Sequence, residues 1–264
     1  MTRPSDQRST TREIALKKKA TSSFPQTVLK WVLALVIFGS SAGWMVWKKE
    51  YTVSVRYGET RQATLANGVR VTLNGGSTVR IPFYFRSMRR QIWLKGEAFF
   101  DIAPSGDPWH IDTFDAEVEV HDGRLNIRAW PDDYRPETAV TLANGAVTVA
   151  KKGAEKIRLP QGHTIRVVKG EPSPAPPVSM PFERATAWLA DGLYLEDRPL
   201  VDVLKTLERR YAVRVTVATE DLNGLNTTYV DPEPSSLPDI LEDLCFALNL
   251  QYHKELEGYE LSHR

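Results

Sequence analysis

The sequence predicts a mainly β domain, built as a sandwich, roll or solenoid-like sheet stack. A small α+β domain of order β-α-β-β-α-β-β follows it, and one N-terminal transmembrane helix precedes both. Three observations carry this reading. Apolar residues alternate at period two between residues 51 and 170, they switch to helical spacing after residue 182, and one long uncharged run lies between Lys30 and Lys48. With 264 residues, 42% hydrophobic and 25% charged, the chain can bury more than one core, and a wholly disordered protein is excluded.

Residues 1–29 are polar and basic, with Ile14, Leu16 and Phe24 as the only large apolar side chains before Val28. They cannot form a core, and read as a short cytoplasmic tail that touches anionic lipid. A sharper reading is a short helix around residues 11–19 that folds on a cytoplasmic partner. Residues 30–49 then form the transmembrane segment: 17 residues, 31–47, carry no charge, and Val28 and Leu29 extend the run. At about 1.5 Å per helical residue such a stretch reaches across a hydrocarbon core of about 30 Å. Trp31, Trp44 and Trp47 sit where indole rings favour the lipid boundary, and Lys30, Lys48 and Lys49 can snorkel outward.

Seven basic residues precede the segment and only Lys48 and Lys49 follow closely, so the N-terminus is placed in the cytoplasm and everything after residue 50 outside the inner membrane. A cleavable signal peptide is the rival, since Ser40, Ser41 and Ala42 make a small-x-small pattern. Its n-region would be 30 residues long and the apolar run continues past the cleavage point, which favours a retained anchor. A buried core helix would show a polar face, and this run has none. Gly39 and Gly43 form a G-x-x-x-G pair that would let two membrane helices approach and support a homodimer; small residues in a membrane helix explain them equally well.

Residues 51–170 read as the β domain. Val69, Val71 and Leu73 alternate, as do Val118 with Val120, Leu125 with Ile127, and Val147 with Val149. Thr-Leu-Ala-Asn-Gly occurs at 64–68 and again at 141–145, and Asn-Gly between alternating runs predicts two equivalent hairpins. Residues 171–181 hold five prolines, which favours an extended, semi-rigid linker and a domain boundary.

Residues 182–264 form the α+β domain. Asp197 is expected to cap a helix with Pro199 in its first turn, followed by Leu200, Val203, Leu204, Leu207 and Tyr211 on one face. Ser236 with Asp239 opens a second helix carrying Leu237, Ile240, Leu241, Leu244, Cys245 and Leu248.

Overall charge is +1, which gives no global field toward nucleic acid. The balance hides an asymmetry: residues 1–50 carry a net +6, residues 51–170 +4, and residues 171–264 −9. The lone Cys245 excludes an intrachain disulfide and a multi-thiolate zinc site, and reads as a small core residue. His110, His121, His163, His253 and His263 show no metal-ligand spacing, and neither a phosphate-binding loop nor a nucleophile-elbow motif occurs. No catalytic constellation, metal or cofactor is expected, which disfavours an enzyme.

The run 64–77, Thr-Leu-Ala-Asn-Gly-Val-Arg-Val-Thr-Leu-Asn-Gly-Gly-Ser, and the run 94–103, Leu-Lys-Gly-Glu-Ala-Phe-Phe-Asp-Ile-Ala, resemble the periplasmic core of FecR-type transmembrane sensors. Residues 140–149 and 159–163 resemble that family's closing strands. Residues 187–200 with Leu-Glu-Arg-Arg-Tyr at 207–211 are similar to the STN-like module that ends many such sensors. The resemblance implies a single-pass inner-membrane signal transducer. It would relay the state of a TonB-dependent outer-membrane receptor, through that receptor's N-terminal signalling domain, to an extracytoplasmic-function sigma factor.

Two departures stand out. Residues 121–127 lack the family's Gly-Thr-x-Phe-x-Val pattern, and many members carry a folded cytoplasmic anti-sigma module where this chain offers 29 residues. Sigma-factor contact would then rest on a short peptide or be lost. The alternative is a structural or scaffolding envelope protein, anchored by its helix and passing no signal. For partner contact the candidates are the backbones of Val213, Val215, Val217, Leu193 and Leu195, as strand edges open to β-augmentation; strands interior to the sheet are the equal alternative. The acidic C-terminal part favours a basic partner surface.

Overall fold

The computed structural model describes residues 30–31, 50–65, 68–82, 90–233 and 235–264. Met1–Val46 and Trp47–Arg264 form separate units. Residues 32–49, with Gly39 and Gly43, lie outside the described residues, as does Asn67 of the first Asn-Gly pair. Among the described residues no helix is long and apolar enough to cross a membrane.

The second unit is rich in strand. Its first part is one 11-stranded sheet of β1 (Glu50–Ser54), β2 (Arg61–Thr64), β3 (Arg70–Leu73), β4 (Thr78–Pro82), β5 (Gln91–Ile102), β6 (Trp109–Asp112), β7 (Ala116–Ala129), β8 (Glu137–Lys151), β9 (Ile157–Leu159), β10 (His163–Val168) and β11 (Val178–Ser179). The main path runs β1-β4-β5-β6-β7-β8-β10-β11, with β3 joined to β5, β2 to β3, and β9 to β8. Among these pairings only β5–β6 is parallel. The proline-rich residues 171–181 run beside β10, where the Ala175 amide donates to the Arg166 carbonyl and β11 pairs with His163 and Thr164.

Alternation explains the core, with one device that resets it. On β7, Ala116, Val118 and Val120 are buried, then Leu125, Ile127 and Ala129; on β8, Val140 and Leu142, then Val147 and Val149. The parity flips midway in both strands. A one-residue slip exchanges the faces of a strand, and a bulge supplies such a slip locally. The register shifts fall between Val120 and Asp122 and between Arg124 and Leu125, beside the facing pair Gly123 and Gly145, whose φ values are +119° and +108°. This corrects the second expected hairpin: Asn144-Gly145 lies inside the 15-residue strand β8. Gly145 uses its positive φ to cross a bulge instead of a chain reversal. The first Thr-Leu-Ala-Asn-Gly run does join the antiparallel pair β2–β3.

One buried acid tunes this core. Asp115, beside β7, is 8% exposed and accepts from Thr138 Oγ1 at 2.5 Å, while its Oδ2 has no partner among the described residues. Burial raises its pKa above the usual carboxylate value, against the opposing pull of Thr138 and Thr113. A raised folded-state pKa means the native state holds the proton more tightly, so stability is lost as pH rises through that pKa. Asp115→Asn is therefore expected to raise the urea midpoint at pH 7 and to leave it unchanged near pH 3. A midpoint lowered at pH 7 would show that the charged form is the one the fold requires.

The second part comprises a short helix α1 (Phe182–Ala185), β12 (Leu193–Pro199), α2 (Leu200–Tyr211), β13 (Arg214–Val217), β14 (Asn226–Asp231), α3 (Leu237–Leu248), β15 (Leu250–Lys254) and β16 (Gly258–His263). From β12 onward the order is β-α-β-β-α-β-β. β12 pairs with β14, and the other sheet runs β13-β16-β15 with β13 and β16 parallel. The helices cover a separate core of Leu200, Val203, Leu204, Leu207, Ile240, Leu241 and Leu244, each contributing about 1.5–3 kcal/mol on full burial.

Ser236 caps α3 as its sequence implies, accepting from the Asp239 amide. Asp197 does not cap α2. Pairing of β12 with β14 continues to Pro199, so the helix starts at Leu200, while Asp197 takes a left-handed φ of 48° in a bulge and accepts from Asn226 Nδ2.

Candidate functional site

The predicted partner-binding positions lie in the C-terminal part. Leu193 and Leu195 on β12 and Val215 on β13 bury their side chains in its core, and Val213 and Val217 pack against that core half-buried. β12 ends a two-stranded sheet and β13 ends a three-stranded one, so Leu193 and Leu195 belong to one sheet and Val215 and Val217 to the other, while Val213 lies just ahead of β13. Cys245 is buried, and burial pushes its thiol pKa up. Among the described residues no group of histidine, cysteine and carboxylate side chains is arranged to hold a metal ion.

A dense polar arrangement fills the seam between the two parts, and helix α2 builds it. Its apolar stripe faces the C-terminal core, while Asp202 and Arg209 turn to the β sheet. Asp202, 1% exposed, accepts from the Tyr134 amide at 2.5 Å and the Arg135 amide at 3.1 Å. One turn on, Lys205 donates to the Asp132 carbonyl. Two turns on, the Arg209 guanidinium reaches Asp133 at 2.9 Å and Asp132 at 3.2 Å, and lies 3.8 Å above the Trp130 ring. Asp133 also holds Arg128 at 2.7 Å, which closes an Arg–Asp–Arg triad.

The helix end sits close against the β1–β4 region. The Gly58 amide donates to the Arg209 carbonyl at 2.8 Å, and a Cβ on Gly75 would lie 2.5 Å from that same oxygen. Glycine is required there by approach of backbone to backbone.

A second polar chain crosses the seam above β5 and β7. Trp188 Nε1 donates to Asn126 Oδ1 at 3.2 Å, Asn126 Nδ2 donates to Glu97 at 3.0 Å, and Asn74 donates to the other Glu97 oxygen at 2.9 Å. Arg198 donates to Glu137 at 2.7 Å, and Phe182 packs on Phe99. A cavity of about 160 Å³ lies between these groups, with Trp130, Trp188 and Leu195 on its apolar side. The two apolar cores remain separate clusters, so the seam is held by hydrogen bonds and ion pairs. Such a joint is specific in geometry, and disrupting one charged partner is costly.

Sequence reasoning missed these residues. Asp202, Lys205 and Arg209 recur at helical spacing, a pattern that a solvated helix face shares. The signal available was a polar stripe that the adjoining domain could cover, but nothing in one sequence says which polar face is covered.

The chain matches the family model described as FecR protein over residues 51–148 and that described as FecR, C-terminal, over residues 192–260. No curated relative matches it. Two crystal structures of a proposed anti-sigma factor from Parabacteroides distasonis ATCC 8503 are similar. The one at 2.50 Å is 28% identical with a TM-score of 0.74, covering 82% of this chain and 100% of that one. The one at 1.65 Å is 28% identical with a TM-score of 0.73, covering 81% and 99%. The two matched segments together span more than half of the sequence and take in β5, β7 and helix α2 of the seam: the chain belongs to the FecR family.

Proposed function

We propose that this chain is a FecR-type regulator that relays the state of a TonB-dependent outer-membrane receptor to an extracytoplasmic-function sigma factor by protein–protein contact, without catalysis. The observation that carries the reading is the pair of FecR-family matches on one β-rich chain whose structural relative is described as an anti-sigma factor. In this reading residues 30–49 cross the inner membrane once, residues 1–29 face the cytoplasm, and the β domain (51–170), linker (171–181) and STN-like domain (182–264) face the periplasm.

The free edges of β13 and β12 accept the receptor's signalling domain by strand addition, where main-chain hydrogen bonds give affinity without specialised side chains. The acidic surface favours a basic partner. Tyr229 reflects that field: its phenol is pushed up to about 12, first by burial and then by Asp231 and Asp243. The polar seam couples a partner bound on the C-terminal sheets to the β sheet, whose first strand follows residues 30–49 in sequence.

Crosslinking in whole envelopes, followed by capture of this chain, tests the proposal. Recovery of both an outer-membrane receptor and a sigma factor is expected, with the sigma factor lost on deletion of residues 1–29. Capture of envelope-assembly proteins alone, unchanged by that deletion, would instead favour the scaffolding role.

A further inference from the structure

The cavity in the seam carries an inference that stands independently of the sigma-factor reading. Six arginines line it, Arg128, Arg166, Arg184, Arg198, Arg209 and Arg210, against the four carboxylates Glu59, Glu97, Asp191 and Glu196. Hydrogen-bond accounting there leaves donors in excess. Both Glu97 oxygens are taken by Asn74 and Asn126. Arg166 and Arg198 share one Glu137 oxygen, at 3.8 Å and 2.7 Å. Arg128 and Arg209 share Asp133, and Arg209 adds only the half-exposed Asp132.

Each guanidinium offers five N–H donors and no acceptor. Nη1 of Arg128 and Nη1 of Arg209 are buried with no acceptor among the described residues. Like charges also crowd: the Arg198 pKa is lowered by burial first and then by Arg128, with Arg166 adding to it.

We propose that this cavity binds a small acceptor-rich anion of the carboxylate or phosphate class, held between Arg128 and Arg166 of the β sheet and Arg198 of β12. Guanidinium pairs recognise such groups by parallel N–H···O bonds. The apolar side formed by Trp130, Trp188 and Leu195 accommodates the carbon skeleton of an organic acid. Because the arginines come from both sides of the seam, the bound anion tightens the joint between them.

Calorimetric titration and thermal melting of the full chain in detergent test this, using inorganic phosphate, sodium succinate and sodium chloride at matched ionic strength. One of the two anions is expected to bind saturably at one site per chain and to raise the melting temperature above the chloride control; which one does so separates the phosphate from the carboxylate source. Arg166→Gln and Arg198→Gln are each expected to weaken binding at least about tenfold, the loss of a charged hydrogen bond. Arg158→Gln, at the exposed position of β9, should leave it unchanged. The Arg166 side chain is 39% exposed, so its substitution leaves the fold intact. Absence of saturable binding by either anion, or parental affinity retained in both glutamine variants, overturns the proposal.

Discussion

Arg209→Ala is expected to lower the unfolding free energy by about 3 kcal/mol, the lower end of the cost of breaking a buried ion pair. The side chain is 5% exposed and its Asp133 partner 1%, so water does not screen the interaction. The truncation removes the contacts to Asp133 and Asp132 and the guanidinium above Trp130, and leaves Asp133 with Arg128 alone. Loss should concentrate at the seam. Proteolytic cleavage within residues 171–181 should therefore accelerate, while the C-terminal core, built from Leu200, Val203, Leu204 and Leu207 on the other side of α2, stays folded. Urea unfolding with a double-mutant cycle against Asp133→Ala measures the coupling. A change under about 0.5 kcal/mol, the size typical of surface substitutions, would mean that the seam does not hold the two parts together.

Gly145→Ala should be more damaging still. A Cβ there would lie 2.2 Å from the Asp122 carbonyl oxygen and 2.6 Å from the Gly123 Cα, at a φ of +108° that L side chains rarely adopt. Dihedral strain and forced backbone displacement together amount to upward of about 3 kcal/mol. Because β7 and β8 form the longest pairing of the sheet, the expected result is loss of soluble, folded protein or a urea midpoint far below that of the parent. Gly153→Ala is the control: its φ is +80° but a Cβ meets nothing within 4 Å, so only the left-handed cost of about 1–2 kcal/mol applies. Equal effects at the two positions would show that the bulge is dispensable.

The contrast between these substitutions shows what one sequence can and cannot convey. Val118 with Val120 and Leu125 with Ile127 display strand alternation openly, and their change of parity marks a bulge. Asn144-Gly145 still predicts a hairpin because positive φ serves a turn and a bulge alike, and the choice depends on which strand lies opposite. Ser236 was legible as a cap because its partner, the Asp239 amide, is three residues away. Asp197 has the local chemistry of a cap and does not act as one, because β14, about thirty residues later, extends β12 as far as Pro199.

Local chemistry thus determined the β-rich character of the first part, the β-α-β-β-α-β-β order of the second, the apolar stripes of both cores and the family motifs, since each depends on residues close along the chain. The tertiary structure alone decided the seam. Asp202 meets the amides of Tyr134 and Arg135, and Arg209 meets Asp133, across more than sixty residues of sequence. A polar side chain at helical spacing has the same pattern whether water or another domain satisfies it, and only the packing of one part on the other distinguishes the two.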